Sequence, residues 1–144
     1  MAKIWVLVSD DSRARFFRTN RAAPLEELED SVNPQARGHE QDLVSDRPGS
    51  TTDRAGYAQH AMGGDRDPKE IAARRFARAV ADRLREARLG GEYERLFLVA
   101  SPDFLGELRQ ALDEGTRGAV VGELAKDLSR MPARDIRSHL PELI

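Results

Sequence analysis

Two unbroken apolar runs, Ile4-Trp5-Val6-Leu7-Val8 and Leu96-Phe97-Leu98-Val99-Ala100, constrain this chain more than any other feature in it. Each has the length of a strand and lacks the polar alternation of a half-exposed one, so each reads as a strand covered on both faces. Covering both faces needs one layer above the sheet and another below it. A chain of 144 residues can supply those layers within one domain, since about 150 residues bury roughly 70% of their extended surface. Residues 1–144 are therefore read as a single α/β domain.

The remaining elements follow from local chemistry. Ser9-Asp10-Asp11-Ser12 is a turn, because Asp and Ser side chains bond their own backbone nearby. Arg13 to Arg18 then returns as a second strand, with Ala14 and Phe16 on one face and Phe17 on the other. Leu25 to Val32 is a third, weaker strand with Leu28 and Val32 inward. Asp67, Pro68 and Glu70 announce a long helix by cap, first-turn proline and capping-box acid. Its stripe is Ala73, Phe76, Val80, Leu84 and Ala87, and Gly90-Gly91 ends it. Ser101-Pro102-Asp103 opens the next helix, with Phe104, Leu105, Leu108 and Leu112 inward and Gly115 as its end. Ala119 to Ala125 is the last strand, and Pro132 opens a short helix with Ile136 and Leu140 inward. The expected order is β-β-β-α-β-α-β-α, an antiparallel opening followed by α/β crossovers, as in ribonuclease-H-like mixed sheets.

Between the third strand and the long helix the pattern fails. Residues 34–66 hold five glycines, two prolines and charges of both signs. Loops beyond about 12–15 residues are uncommon in compact domains and tend to be functional or disordered. Folding alone does not account for this segment.

Composition removes several function classes. The formal net charge of −2 shows no basic excess, so a nucleic-acid partner would have to be met by a local patch. The absence of cysteine excludes disulfides, thiol catalysis and Cys-ligated zinc. His39, His60 and His139 have no metal-ligand spacing, and no P-loop, nucleophile elbow or dinucleotide fingerprint occurs. No metal and no cofactor are expected. The run Ile4 to Val8 is shorter than a secretory or membrane-spanning segment, which leads to the expectation of a cytoplasmic protein without a membrane partner.

Several stretches together resemble the bacterial host-attachment protein family. They are Trp5 to Phe16, Leu43 to Gly49, His60-Ala61-Met62, Asp67 to Glu70, Arg75-Phe76-Ala77, Leu98 to Gly106 and Glu123 to Leu128. They cover almost the whole chain in order. Members of that family in turn look like relatives of the middle domain of archaeal and eukaryotic peptide-chain release factors. That domain carries a Gly-Gly-Gln loop before its long helix and promotes hydrolysis of the peptidyl-tRNA ester. The resemblance implies a translation-associated protein that binds ribosome or tRNA. If it is an enzyme, it would be a peptidyl-tRNA ester hydrolase.

On that reading the reacting loop is His60, Gly63, Gly64 and Asp65. Glycine lets backbone approach an ester closely, and backbone N–H groups can face the developing oxyanion. Asp65 departs from the glutamine of the release-factor loop, and an ionised aspartate accepts hydrogen bonds but cannot donate them. A Gly-Gly-Asp stretch is also an ordinary turn into a helix cap. For phosphate, Arg74, Arg78, Arg85 and Arg88 fall within about 80° of one another on a helix. Arg13 and Arg47 complete the expected anion-binding set. The row could equally be a solvated face laced with Glu70, Asp82 and Glu86. Asp10, Asp11 and Asp103 stand at strand ends, where nucleases of this fold hold two metal ions, yet turn and helix-cap chemistry explains all three. A non-enzymatic factor with a protein partner, acting on host attachment from inside the cell, is the rival to the translation reading.

Overall fold

The computed structural model describes residues 3–21, 23–35 and 67–141. Its strands are β1 (Ile4–Ser9), β2 (Arg13–Thr19), β3 (Glu26–Val32), β4 (Arg95–Ala100) and β5 (Val120–Ala125). Its helices are α1 (Pro68–Leu89), α2 (Pro102–Ala111), α3 (Glu114–Ala119) and α4 (Ala133–Ser138). The five strands form one mixed sheet in the order β3-β2-β1-β4-β5. β1 runs antiparallel to β2 and parallel to β4; β4 and β5 are parallel, and β2 and β3 antiparallel.

The two apolar runs lie side by side at the centre, with Leu7 opposite Leu98. Strand alternation sends their side chains to opposite faces. Trp5, Leu7, Leu96, Leu98 and Ala100 join Phe76, Val80, Leu84, Phe104 and Leu108 in a core beneath α1 and α2. Ile4, Val6, Val8, Phe97 and Val99 join Phe17, Leu128, Ile136 and Leu140 in a second core on the other face. The α/β layering expected from the two runs is what the structure has.

Helix α1 begins as its sequence indicates. The Asp67 side chain accepts from the Lys69 backbone N–H at 3.0 Å, and Pro68 occupies the first turn. It ends at Gly90, and Gly91 takes the left-handed φ of +74° that glycine tolerates. Three details differ from expectation. A separate helix, α3, stands between α2 and β5, because Asp113 caps it by accepting from the Thr116 N–H. Gly115 lies inside α3, and α2 has already ended at Ala111. Val32 is 46% exposed, leaving Leu28 as the inward residue of β3.

Pairing of β4 with β5 slips between Leu96 and Phe97, and Gly122 then lies opposite Phe97. A Cβ at Gly122 would meet the Phe97 ring at 2.6 Å, closer than carbon atoms pack. Gly122→Ala is therefore expected to cost about 1–3 kcal/mol through overpacking. A thermal melt should show the midpoint falling by several degrees; an unchanged midpoint would mean that Phe97 moves aside freely.

Among the described residues no helix is long and apolar enough to cross a membrane.

Candidate functional site

The carboxyl ends of the parallel strands β1, β4 and β5 open into a crevice of about 720 Å³. In α/β sheets this edge is where ligands collect, because loops and helix N-termini converge there. Asp10 and Asp11 enter it from the end of β1, Ser101 to Phe104 from the end of β4, and Asp127 from the end of β5. The first turn of α1 closes another wall with Asp67, Lys69 and Glu70, and Glu107 of α2 completes it. Seven carboxylates and Lys69 thus face a common space.

Most of this acidity has local employment. Asp10 is buried, and its Oδ1 accepts from the Ser12 N–H at 2.9 Å, the Ser12 hydroxyl at 3.0 Å and the Arg13 N–H at 2.9 Å. Its Oδ2 accepts from the Ser129 hydroxyl at 3.0 Å. Asp67 caps α1, and Asp103 lies in the first turn of α2, where its charge meets the positive end of the helix dipole. The structure does bring Asp10, Asp11 and Asp103 to one crevice. Among the described residues, however, no group of three or more carboxylates or histidines is close enough to hold a metal ion.

The arginine row divides. Arg74 lies 3.5 Å from Glu107 of α2, and Arg88 donates to Asp113 and Thr116, both at 3.1 Å. Arg78 and Arg85 stand exposed, and Arg75 shares that outward side. The buried arc of α1 is wider than the apolar stripe suggested, because Ala77 and Ala81 are also covered. Arg74 and Arg88 therefore fall at the margin of the packed face, with their side chains 42% and 27% exposed. Arg13 is forked onto Asp30 at 2.9 and 2.6 Å. His39, Arg47, His60, Gly63, Gly64 and Asp65 lie outside the described residues.

Sequence reasoning passed over Arg15. It is buried in β2, with its Nε and Nη2 donating to the Glu27 carboxylate at 2.9 Å each. Its Nη1 donates to the backbone carbonyls of Ser129 at 3.0 Å and Met131 at 2.6 Å. The available signal was Arg13, Arg15 and Arg18 spaced along one strand, with Glu26, Glu27 and Asp30 on the next.

Three other contacts, at Glu29, Asp30 and Asp113, set a pH dependence. The Arg83 guanidinium holds Glu29 below the usual carboxylate range, Arg13 does the same for Asp30, and the Thr116 hydroxyl does so for Asp113. A carboxyl whose folded pKa is depressed adds stability above its unfolded pKa, and that stability is lost as pH falls through the folded one. Stability should therefore be flat near neutrality and decline below about pH 4, where unfolded carboxyls begin to protonate. Urea midpoints at pH 7 and pH 3 test this; equal midpoints would remove the pairs from the account.

A family model described as "Protein required for attachment to host cells" matches residues 5–140. The chain belongs to the host-attachment family. The match runs from β1 of this host-attachment protein to the residues just beyond α4, so it takes in both central strands, every wall of the crevice and residues 36–66. A comparison with curated proteins gives no match.

Proposed function

We propose that this host-attachment family member has a ribonuclease-H-like fold and acts in translation, as a release-factor-like domain that binds ribosome or tRNA inside the cell. The observation that carries the reading is where the β3–α1 connection starts and finishes. Asn33, just before it, donates its side-chain N–H to the Asp11 carbonyl at 2.9 Å, and Asp67, just after it, lines the crevice. Asn33 and Asp67, described residues on either side of the stretch that holds His60, Gly63, Gly64 and Asp65 in sequence, thus both lie at the rim of the sheet's carboxyl edge. The strand order β3-β2-β1-β4-β5 supports the fold assignment. In this reading Arg78 and Arg85, with Arg75, meet phosphates, and the His60 to Asp65 stretch is the part that would reach a peptidyl ester.

Co-sedimentation with ribosomes at rising salt tests the proposal. Two or three phosphate contacts predict an affinity loss on the order of ten- to fortyfold between 50 and 200 mM salt. Arg78→Glu with Arg85→Glu should weaken binding and flatten that slope. Absence of co-sedimentation at low salt would sink the reading.

The crevice favours a second reading. Its carboxylates repel phosphate and suit a basic protein segment, as a non-enzymatic interaction factor influencing attachment would need. A partner captured equally well after nuclease treatment, and released by Asp11→Asn with Asp103→Asn, would support this alternative.

A further inference from the structure

The second face of the sheet is covered very differently from the first. Helices α1 and α2 cover one face, whereas residues 126–140 cover much of the other, through Leu128, Met131, Ala133, Ile136 and Leu140. This strap leaves the sheet at the end of β5. Among the described residues its backbone hydrogen bonds outside regular elements are local: Met131 to Leu128, Asp135 and Ile136 to Pro132, His139 to Ile136 and Leu140 to Arg137. It is held to the body by side chains. Arg15 reaches across to the Ser129 and Met131 carbonyls. The Ser129 hydroxyl sits between Asp10 Oδ2 at 3.0 Å and Asp127 Oδ1 at 2.8 Å. Arg137 Nη1 approaches the Thr19 hydroxyl and the Ala23 carbonyl, both at 3.4 Å.

We propose that residues 126–140 are a latched strap that opens as a unit while the sheet and α1 stay folded, with Arg15 and the Asp10–Ser129 contact as the latch. Regions open below the global unfolding energy when few backbone bonds and few apolar contacts tie them to the rest. The strap meets the first condition, since among the described residues its backbone bonds are local and its only helix has six residues and no side-chain cap. Its apolar hold on the sheet rests on Leu128, Met131, Ala133, Ile136 and Leu140. Opening uncovers Ile4, Val6, Val8, Phe97 and Val99, which are 5% exposed or less when it is closed. Asp10 and Asp127 both line the acidic crevice and both touch Ser129, so the latch and the crevice share their carboxylates. The device is independent of the translation reading and would be present whichever partner the crevice takes.

Native-state hydrogen exchange of the whole protein tests it, followed amide by amide at low denaturant. Amides of Ile136, His139 and Leu140 should be protected about a hundredfold less than those of Leu7 and Leu98, with a weaker denaturant dependence. Ser129→Ala should lower strap and central-strand protection alike, roughly tenfold, the scale of one hydrogen bond, because the latch is broken in the open strap and in the unfolded chain. Leu84→Ala, in the core beneath α1, should instead lower protection of Leu7 and Leu98 and leave the strap amides unchanged. If strap and central-strand amides exchange with the same free energy and denaturant slope, the strap is not a separate unit and the proposal fails. It fails equally if Ser129→Ala leaves the strap amides unchanged, or if Leu84→Ala lowers strap and central-strand amides together.

Discussion

Leu98→Ala is expected to lower the free energy of unfolding by about 3–5 kcal/mol, the range for a fully buried leucine whose cavity cannot collapse. Leu98 is fully buried on a central strand, facing the core beneath α1 and α2 with Leu7 beside it. β1 and β5 hold β4 on either side, so the backbone has little freedom to close the void. Domains of this size are stable by only about 5–15 kcal/mol in total. Urea titration should show a markedly lower midpoint with an unchanged slope. Val121→Ala, at a position 49% exposed, is the control, and should stay within about 0.5 kcal/mol. A loss below about 1 kcal/mol at Leu98 would contradict the central placement of this strand.

Arg15→Met comes second, with an expected cost of about 2–4 kcal/mol. Methionine keeps most of the aliphatic length and can lie against Phe17, whose ring the guanidinium now covers at 5.0 Å. The donors, however, disappear. The Ser129 carbonyl is left in a buried setting and the Met131 carbonyl in a partly buried one. An unsatisfied buried acceptor costs about 1–3 kcal/mol. Glu27 loses its partner too, but its side chain is 33% exposed and water can replace part of the contact. Urea unfolding of Arg15→Met, Glu27→Gln and the double variant separates these contributions. The Arg15 loss should remain large in the Glu27→Gln background, because the carbonyl contacts persist there. A loss that vanishes with Glu27 would mean that the carbonyls carry none of it.

The architecture was legible where side-chain chemistry speaks locally. The runs at Ile4–Val8 and Leu96–Ala100 could bury themselves only inside a layered sheet, and Asp67-Pro68 could open only a helix. α3 was not legible, because Gly115 read as the end of the preceding helix, while the Asp113 cap that starts a new one depends on contacts with Thr116 and Arg88 that form only in the fold. The arginine row was legible as a row, but its exposure was not. Whether Arg74 and Arg88 meet water depends on where α2 and α3 pack, and that depends on Ala77 and Ala81, small residues that carry almost no signal of which partner they face. Asp10 shows the same limit in a site residue. Its turn role was apparent, whereas its contact with Ser129 joins positions distant in sequence and emerges only once β5 has brought the chain back.

One margin of the sheet has a bearing on how copies of this protein behave together. β3 carries Glu26, Glu27, Glu29 and Asp30, and arginines of its own molecule already answer each of them. A stray strand approaching that border meets a row of anions with their cations already engaged, which discourages runaway zippering of one molecule onto the next. The carboxyls that fasten β3 to its neighbours are the same ones that make it a poor template. Strong acid would take away both protections in one stroke, so partial unfolding and clumping should set in together.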